Sequence, residues 1–139
     1  MIDVNKILRE AYFTKLSTIV GYKSYYAQAP DNITGSYIVF RPTTSNPINQ
    51  ITGTTVKTQV QVTAVTESEK YNSGEAADLL ASHIYAKIMP TNNSKMFLGS
   101  TLIMASTLLI SDTTQNWTLN QQTVIIDRVI IFEHIININ

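Results

Sequence analysis

Apolar residues in the first twenty positions recur at intervals of three and four: Val4, Ile7, Leu8, Ala11, Tyr12, Leu16 and Ile19. That spacing gathers them on one side of a 3.6-residue helix and predicts a helix over about 4–20, capped by Asp3 and ended by Gly21. Tyr25 to Ala29 then reads as a brief strand leading to Pro30. The run Ser36-Tyr37-Ile38-Val39-Phe40-Arg41 is a firmer strand, expected to stop at Pro42 because proline cannot donate to a ladder. The polar stretch that follows carries two prolines and few packing residues, so a long loop is expected over about 41–53.

From Thr54 to Thr66 the pattern switches to strict alternation. Val56, Val60, Val62 and Ala64 fall on one face and Lys57, Gln59, Gln61 and Thr63 on the other, as in a half-buried antiparallel strand. Glu67, Glu69 and Lys70 are expected in a turn. Ser73 then caps a second helix over about 74–89, with Glu75 and Asp78 at its positive end and Ala77, Leu80, Ala81, Ile84 and Ile88 as the buried stripe. Lys87 sits near the end of that helix and Pro90 stops it.

The remainder is strand-like over Leu98–Ile110 and Thr123–Ile136. In the last strand Val124, Ile126, Ile130, Phe132 and Ile136 share one face, and Ile125, Val129, Ile131 and Ile135 share the other. A strand apolar on both sides lies centrally in a sheet or turns its second face to another subunit. The expected architecture is α+β: one domain over 1–139, with a mainly antiparallel sheet of about four to five strands and two helices packed on one face, in the order α-β-β-α-β-β.

Composition supports the strands and narrows the partners. The 139 residues include 45 that are β-branched, 18 Ile, 9 Val and 18 Thr, side chains that suit a pleated surface. Only 14% are charged, 10 basic against 10 acidic, so the surface is carried by 47 Ser, Thr, Asn and Gln residues. A formal charge of zero offers no basic footprint for nucleic acid, and no direct recognition of it is expected. The opening residues lack the apolar core of a signal peptide, and the apolar runs are too short or interrupted to span a bilayer, so no membrane partner is expected. Without cysteine there is no disulfide framework and no zinc-finger spacing. Asn32-Ile33-Thr34, Asn92-Asn93-Ser94 and Asn116-Trp117-Thr118 match the glycosylation pattern, as chance supplies in so Asn- and Thr-rich a chain.

Residues able to carry chemistry are few. His83 and His134 have no partner at metal-ligand spacing and read as structural or solvated. There is no nucleophile elbow and no glycine-rich phosphate loop. Asp127 and Arg128 are adjacent on a strand, so they point to opposite faces and do not form a paired site. No enzyme, cofactor or metal is expected. Tyr22, Tyr25, Tyr26 and Tyr37 read as packing over the sheet edge or in a subunit contact, and Trp117, in the polar stretch 115–122, as an interface anchor or core cover. A binding module with Tyr22, Tyr25, Tyr37 and Trp117 lining a pocket for a small ligand or peptide is an alternative from another class. Uncharged polar surfaces suit a subunit buried against its own copies, since Thr, Asn and Gln need only hydrogen bonds when buried.

In their order, these features resemble the tail terminator or tail completion proteins of long-tailed bacteriophages, a family that includes tail-to-head joining proteins. The resemblance runs over nearly the whole chain: the first helix with Leu8 and Leu16, Gly21, the Tyr25-Tyr26 strand, Ala29-Pro30, and Ser36-Tyr37-Ile38-Val39-Phe40. It continues through Val60-Gln61-Val62-Thr63-Ala64-Val65, the helix Glu75-Ala76-Ala77-Asp78-Leu79-Leu80-Ala81 and the closing strand Asp127-Arg128-Val129-Ile130-Ile131-Phe132. Ser36 departs from the proline often found before that tyrosine, and the segment from Asn92 to Ile110 is longer and more apolar than the family's. The resemblance implies a structural virion protein of the tail or neck, assembled in the host cytoplasm, that forms a homo-oligomeric ring on the tail tube. A hexamer is favoured and a dodecamer is the alternative; a neck, head-tail connector or tail-tube-like ring subunit is the alternative role. The implied partners are sister subunits, the tail tube protein and the neck or connector protein. Arg41, Asn46, Gln50, Thr52, Lys57 and Trp117 are the expected contacts to a neighbouring subunit or to the tube.

Overall fold

The computed structural model describes residues 4–31, 35–50, 53–69, 74–90, 96, 98–99, 102–118 and 122–138, without the side chains of 44–50, 53–54 and 69. Asp3, Thr52, Lys70 and Ser73, which carry expectations from the sequence, lie outside them. The elements are α1 (Val4–Leu16), β1 (Lys23–Tyr26), β2 (Tyr37–Gln50), β3 (Gly53–Glu69), α2 (Glu75–Ile88), β4 (Leu102–Thr118) and β5 (Thr123–Ile138). They form one five-stranded sheet in the order β1-β2-β3-β5-β4. All neighbouring pairs are antiparallel except β1 with β2, which run parallel, so the sheet is mixed and α2 is preceded by three strands.

Both helices cover the same face. Val4, Leu8, Tyr12 and Leu16 make the buried stripe of α1 at four-residue spacing, and Ala77, Leu80, Ala81, Ile84 and Ile88 that of α2. α1 packs on β1 and β2, α2 on β3 and β5, and the helices touch each other. Beneath them lie Ile38 and Phe40 of β2, Val56, Val60, Val62 and Ala64 of β3, and Ile130, Phe132 and Ile136 of β5, all in one core cluster. Each such side chain, removed from water, stabilises the fold by roughly 1.5–3 kcal/mol before the entropy of ordering is subtracted. α1 ends at Leu16, short of Gly21; Ser17, Thr18 and Ile19 close the last turn by bonding back to Phe13, Lys15 and Leu16. α2 begins at Gly74 in the left-handed region (φ 79°), where its Cβ-free backbone sits against Ile126.

Several expectations are corrected. β2 does not stop at Pro42, and the segment 41–53 is mostly ladder: Arg41 pairs with Gln61, Asn46 with Lys57 and Gln50 with Gly53. The reason is position. β1 ends opposite Phe40, so beyond that point β2 is the sheet edge, where a missing N–H costs nothing, and a bulge at Thr43 absorbs the irregularity. Likewise Glu67 and Glu69 belong to β3 and not to a turn, because β5 pairs with β3 as far as Glu69. β4 starts later than the apolar run suggests and continues through Trp117, held along its length by β5.

Candidate assembly surface

Strand alternation gives the sheet a second face, opposite the helices. Across it run Tyr37 and Val39 of β2, Lys57, Gln59, Gln61, Thr63 and Val65 of β3, Ile125, Asp127, Val129, Ile131, Glu133 and Ile135 of β5, and Leu108 and Trp117 of β4. Among the described residues no helix or strand lies over this face. On its β4 side Ile103, Leu108 and Trp117 are about half exposed, spaced by Ser106, Ser111, Thr113 and Gln115, and Trp117 stands opposite Ile125. Its centre is polar and knitted, with Lys57 Nζ 3.6 Å from Glu133 Oε1 and Gln59 Nε2 donating to Glu133 Oε2 at 3.2 Å. Between these zones lies Asp127, whose Oδ1 is buried without a hydrogen-bond partner and whose carboxyl is pushed up by desolvation. The face thus combines exposed apolar side chains on β4 with few net charges, a combination that suits contact with another protein.

The sequence-derived contact residues are spread over this sheet. Arg41, Lys57 and Trp117 all point to the open face, but from β2, β3 and β4, so they share a surface and not a spot. Asn46 and Gln50 lie on the edge portion of β2, at the far end of the β2–β3 hairpin from Tyr37.

The other polar clusters hold the fold. Arg128 turns to the helix side, as adjacency to Asp127 requires, and grips Asp112 through Nε (2.9 Å to Oδ1) and Nη2 (2.7 Å to Oδ2). Its Nη1 reaches Asp78 on α2 at 3.0 Å, and the Tyr85 hydroxyl donates to Asp112 Oδ2 at 2.5 Å. The bonds from Arg128 hold the Asp112 carboxyl below its usual range, and burial, then Asp112, pushes the Tyr85 phenol up to about 12. α2, β4 and β5 are thereby tied together at the partly open rim of the core. Of the two readings the sequence left for His134, structural or solvated, the structural one holds: it shares strand parity with Ile130, Phe132 and Ile136 and lies in the core. Its ring is fully buried, bonded at Nε2 to the Tyr12 hydroxyl and at Nδ1 to Thr107 Oγ1 (2.9 Å), and burial pulls its pKa down to about 4. A neutral imidazole sealed in this way fills and ties the core, and no substrate can reach it. His83 is exposed on α2. Among the described residues no three His, Cys, Asp or Glu side chains converge to hold a metal, and no helix is long and apolar enough to cross a membrane.

The tyrosines pack at the β1 edge. Tyr25 meets Tyr37 edge-on with centroids 6.1 Å apart, and Tyr26 meets Phe40 at 5.8 Å under the Arg9 guanidinium, 5.0 Å from the Tyr26 ring. Trp117 is three strands away from Tyr37, about 14 Å at ordinary strand spacing. The tyrosines and the tryptophan therefore do not line one pocket, and the ligand-binding alternative loses its site.

No family model matches the chain, and no curated protein matches it. Among solved structures, a chain in the virion of the native gene transfer agent particle superposes with a TM-score of 0.71, covering 99% of this chain and 99% of that one at 15% identity. The chain is thus similar in fold, along essentially its whole length, to a chain of that gene transfer agent virion.

Proposed function

We propose that this chain is a structural subunit of a phage-like virion that closes into a ring on the end of the tail tube, ends tube polymerisation and joins tail to head. The observation that carries this reading is the uncovered sheet face, with Trp117, Leu108 and Ile103 open to solvent beside a nearly charge-balanced polar centre. Leaving such apolar area in water is unfavourable by roughly 25 cal/mol per Å², which contact with a partner recovers. The end-to-end likeness in fold to a virion chain supports the same reading.

The mechanism is geometric and needs no catalytic group or cofactor. Identical subunits side by side form a heterologous ring, one rim of which matches the last tube ring and the other the neck. Arg41, Asn46, Gln50, Thr52, Lys57 and Trp117 are the proposed contacts to neighbour or tube, with Trp117 the anchor because a desolvated indole carries more binding energy than a rim charge. Electron microscopy of the purified chain mixed with tail tubes tests this. Sixfold rings at one tube end are expected, and twelvefold rings that bind only the neck would assign the chain to the connector instead. Trp117→Ser should leave the far-UV spectrum unchanged and reduce ring formation at least tenfold.

A further inference from the structure

The zero net charge conceals a separation. α1, β1, β2 and the connection between the two strands carry Lys6, Arg9, Lys15, Lys23 and Arg41 against Glu10 and Asp31, a net +3 among the described side chains. α2, β4 and β5 carry Glu75, Asp78, Asp112, Asp127 and Glu133 against Lys87 and Arg128, a net −3. β3, between them, carries Lys57 against Glu67 and Glu69, a net −1. The strand order β1-β2-β3-β5-β4 turns this into a separation in space, since each helix packs over strands on its own side. The outer strands are four spacings apart, about 19 Å. That is more than twice the Debye length of about 8 Å at physiological salt, so the two sides hardly feel each other within one molecule. They meet at contact distance only in a neighbour.

The same two edges differ in shape. At the basic edge, α1 and β1 enclose a groove of about 400 Å³ lined by Arg9, Glu10, Phe13, Thr14, Tyr26 and Phe40, in which Phe13 and Tyr26 remain half exposed and the Arg9 and Glu10 charges offset each other. At the acidic edge, β4 presents Leu109 on the helix side and Ile110 at the bulge, exposed by 44% and 47%. Bulges at Ala105 and Ile110 break the register of β4. A neighbouring strand therefore cannot pair continuously along this edge, and side chains rather than backbone are what it offers.

We propose that the occupant of the α1–β1 groove is the β4 edge of a second copy, with Leu109 and Ile110 seated in the groove and the acidic side of one subunit facing the basic side of the next. Two basic edges or two acidic edges repel, so the charge pattern selects head-to-tail contact over a two-fold dimer. Head-to-tail repetition is what a ring requires. The proposal deepens the ring reading and rests on it for closure of the ring, while the edge pairing follows from the charge separation and the two edge shapes.

Charge reversal tests it, read by light scattering and native mass spectrometry at low and high salt. Wild type is expected to assemble, more weakly at high salt. Lys15→Glu with Lys23→Glu, and separately Glu75→Lys with Asp127→Lys, should each lower assembly at least tenfold; neither set touches the Arg128 clamp. The chain with all four substitutions should assemble with itself and exclude wild type from its rings, an outcome that also shows every substituted chain to be folded. Either reversed pair assembling like wild type, or the fourfold variant mixing freely with wild type, would overturn the edge pairing and leave the ring standing. A wild type that stays monomeric even with tail tubes would overturn the ring reading and the edge pairing together.

Discussion

The Tyr12 hydroxyl is hydrogen-bonded to Nε2 of His134, so the first helix and the last strand, 122 positions apart, are fastened through the core. Both side chains are fully buried, and Thr107 of β4 satisfies the other ring nitrogen. Tyr12→Phe keeps the ring stacked on Phe40 but leaves Nε2 without a partner in a dry environment. The expected loss is about 1–3 kcal/mol in urea denaturation, because an unsatisfied buried polar group bears its full desolvation cost. An unchanged midpoint would show that the hydrogen bond contributes nothing net.

The same burial sets a pH dependence. The His134 pKa lies at about 4 in the folded chain against an ordinary 6.5, so the unfolded chain takes up the proton first. This group's contribution is fully present above pH 6.5 and is lost as pH falls from 6.5 through 4; below 4 both states are protonated and it changes no further. At about 1.4 kcal/mol per pH unit the loss sums to about 3 kcal/mol. Stability measured across that window should fall in wild type, and His134→Gln should abolish this part of the slope.

Arg128 makes two ion pairs of unequal weight. Its bidentate bond to Asp112 is mostly shielded, whereas the Asp78 side chain is 74% exposed. Asp78→Asn should therefore cost no more than about 0.5 kcal/mol. Arg128→Met, which leaves Asp112 without its cation, should cost about 1–2 kcal/mol after solvent screening. Comparable losses for the two, measured at equal salt, would contradict this ranking.

Ala27 leaves β1 with φ at 69°, a region that penalises a Cβ, while its N–H bonds Phe40 O and the next N–H bonds Tyr26 O. Glycine tolerates that φ. Ala27→Gly is expected to raise the melting temperature, by an amount equivalent to about 0.5–1 kcal/mol, because relief of strain exceeds the added freedom of the unfolded chain. A lower melting temperature would place the strain elsewhere.

The helices and the inner faces of β3 and β5 are legible in the sequence because apolar side chains recur there with a single period. Val56, Val60 and Val62, and likewise Ile130, Phe132 and Ile136, face the core as their alternation requires. What eluded the sequence was set by partners. Pro42 and Pro47 read as strand breakers until β1 is seen to end opposite Phe40, leaving β2 as an edge that tolerates them. Ser111 to Thr118 shows no apolar alternation, and its strand exists because β5 pairs with it throughout. Parity with Phe132 favours the structural reading of His134, but only the fold brings Tyr12 and Thr107 to its two nitrogens. Of the contact residues, spacing could not reveal that Arg41, Lys57 and Trp117 share one open face, since that depends on the strand order.

Assembly into a ring is tested most directly by electron microscopy of the purified chain, alone and with preformed tail tubes. Closed rings of uniform symmetry are expected, seated at one end of each tube and halting its growth. A chain that remains monomeric at high concentration and leaves tube ends bare and growing would contradict it.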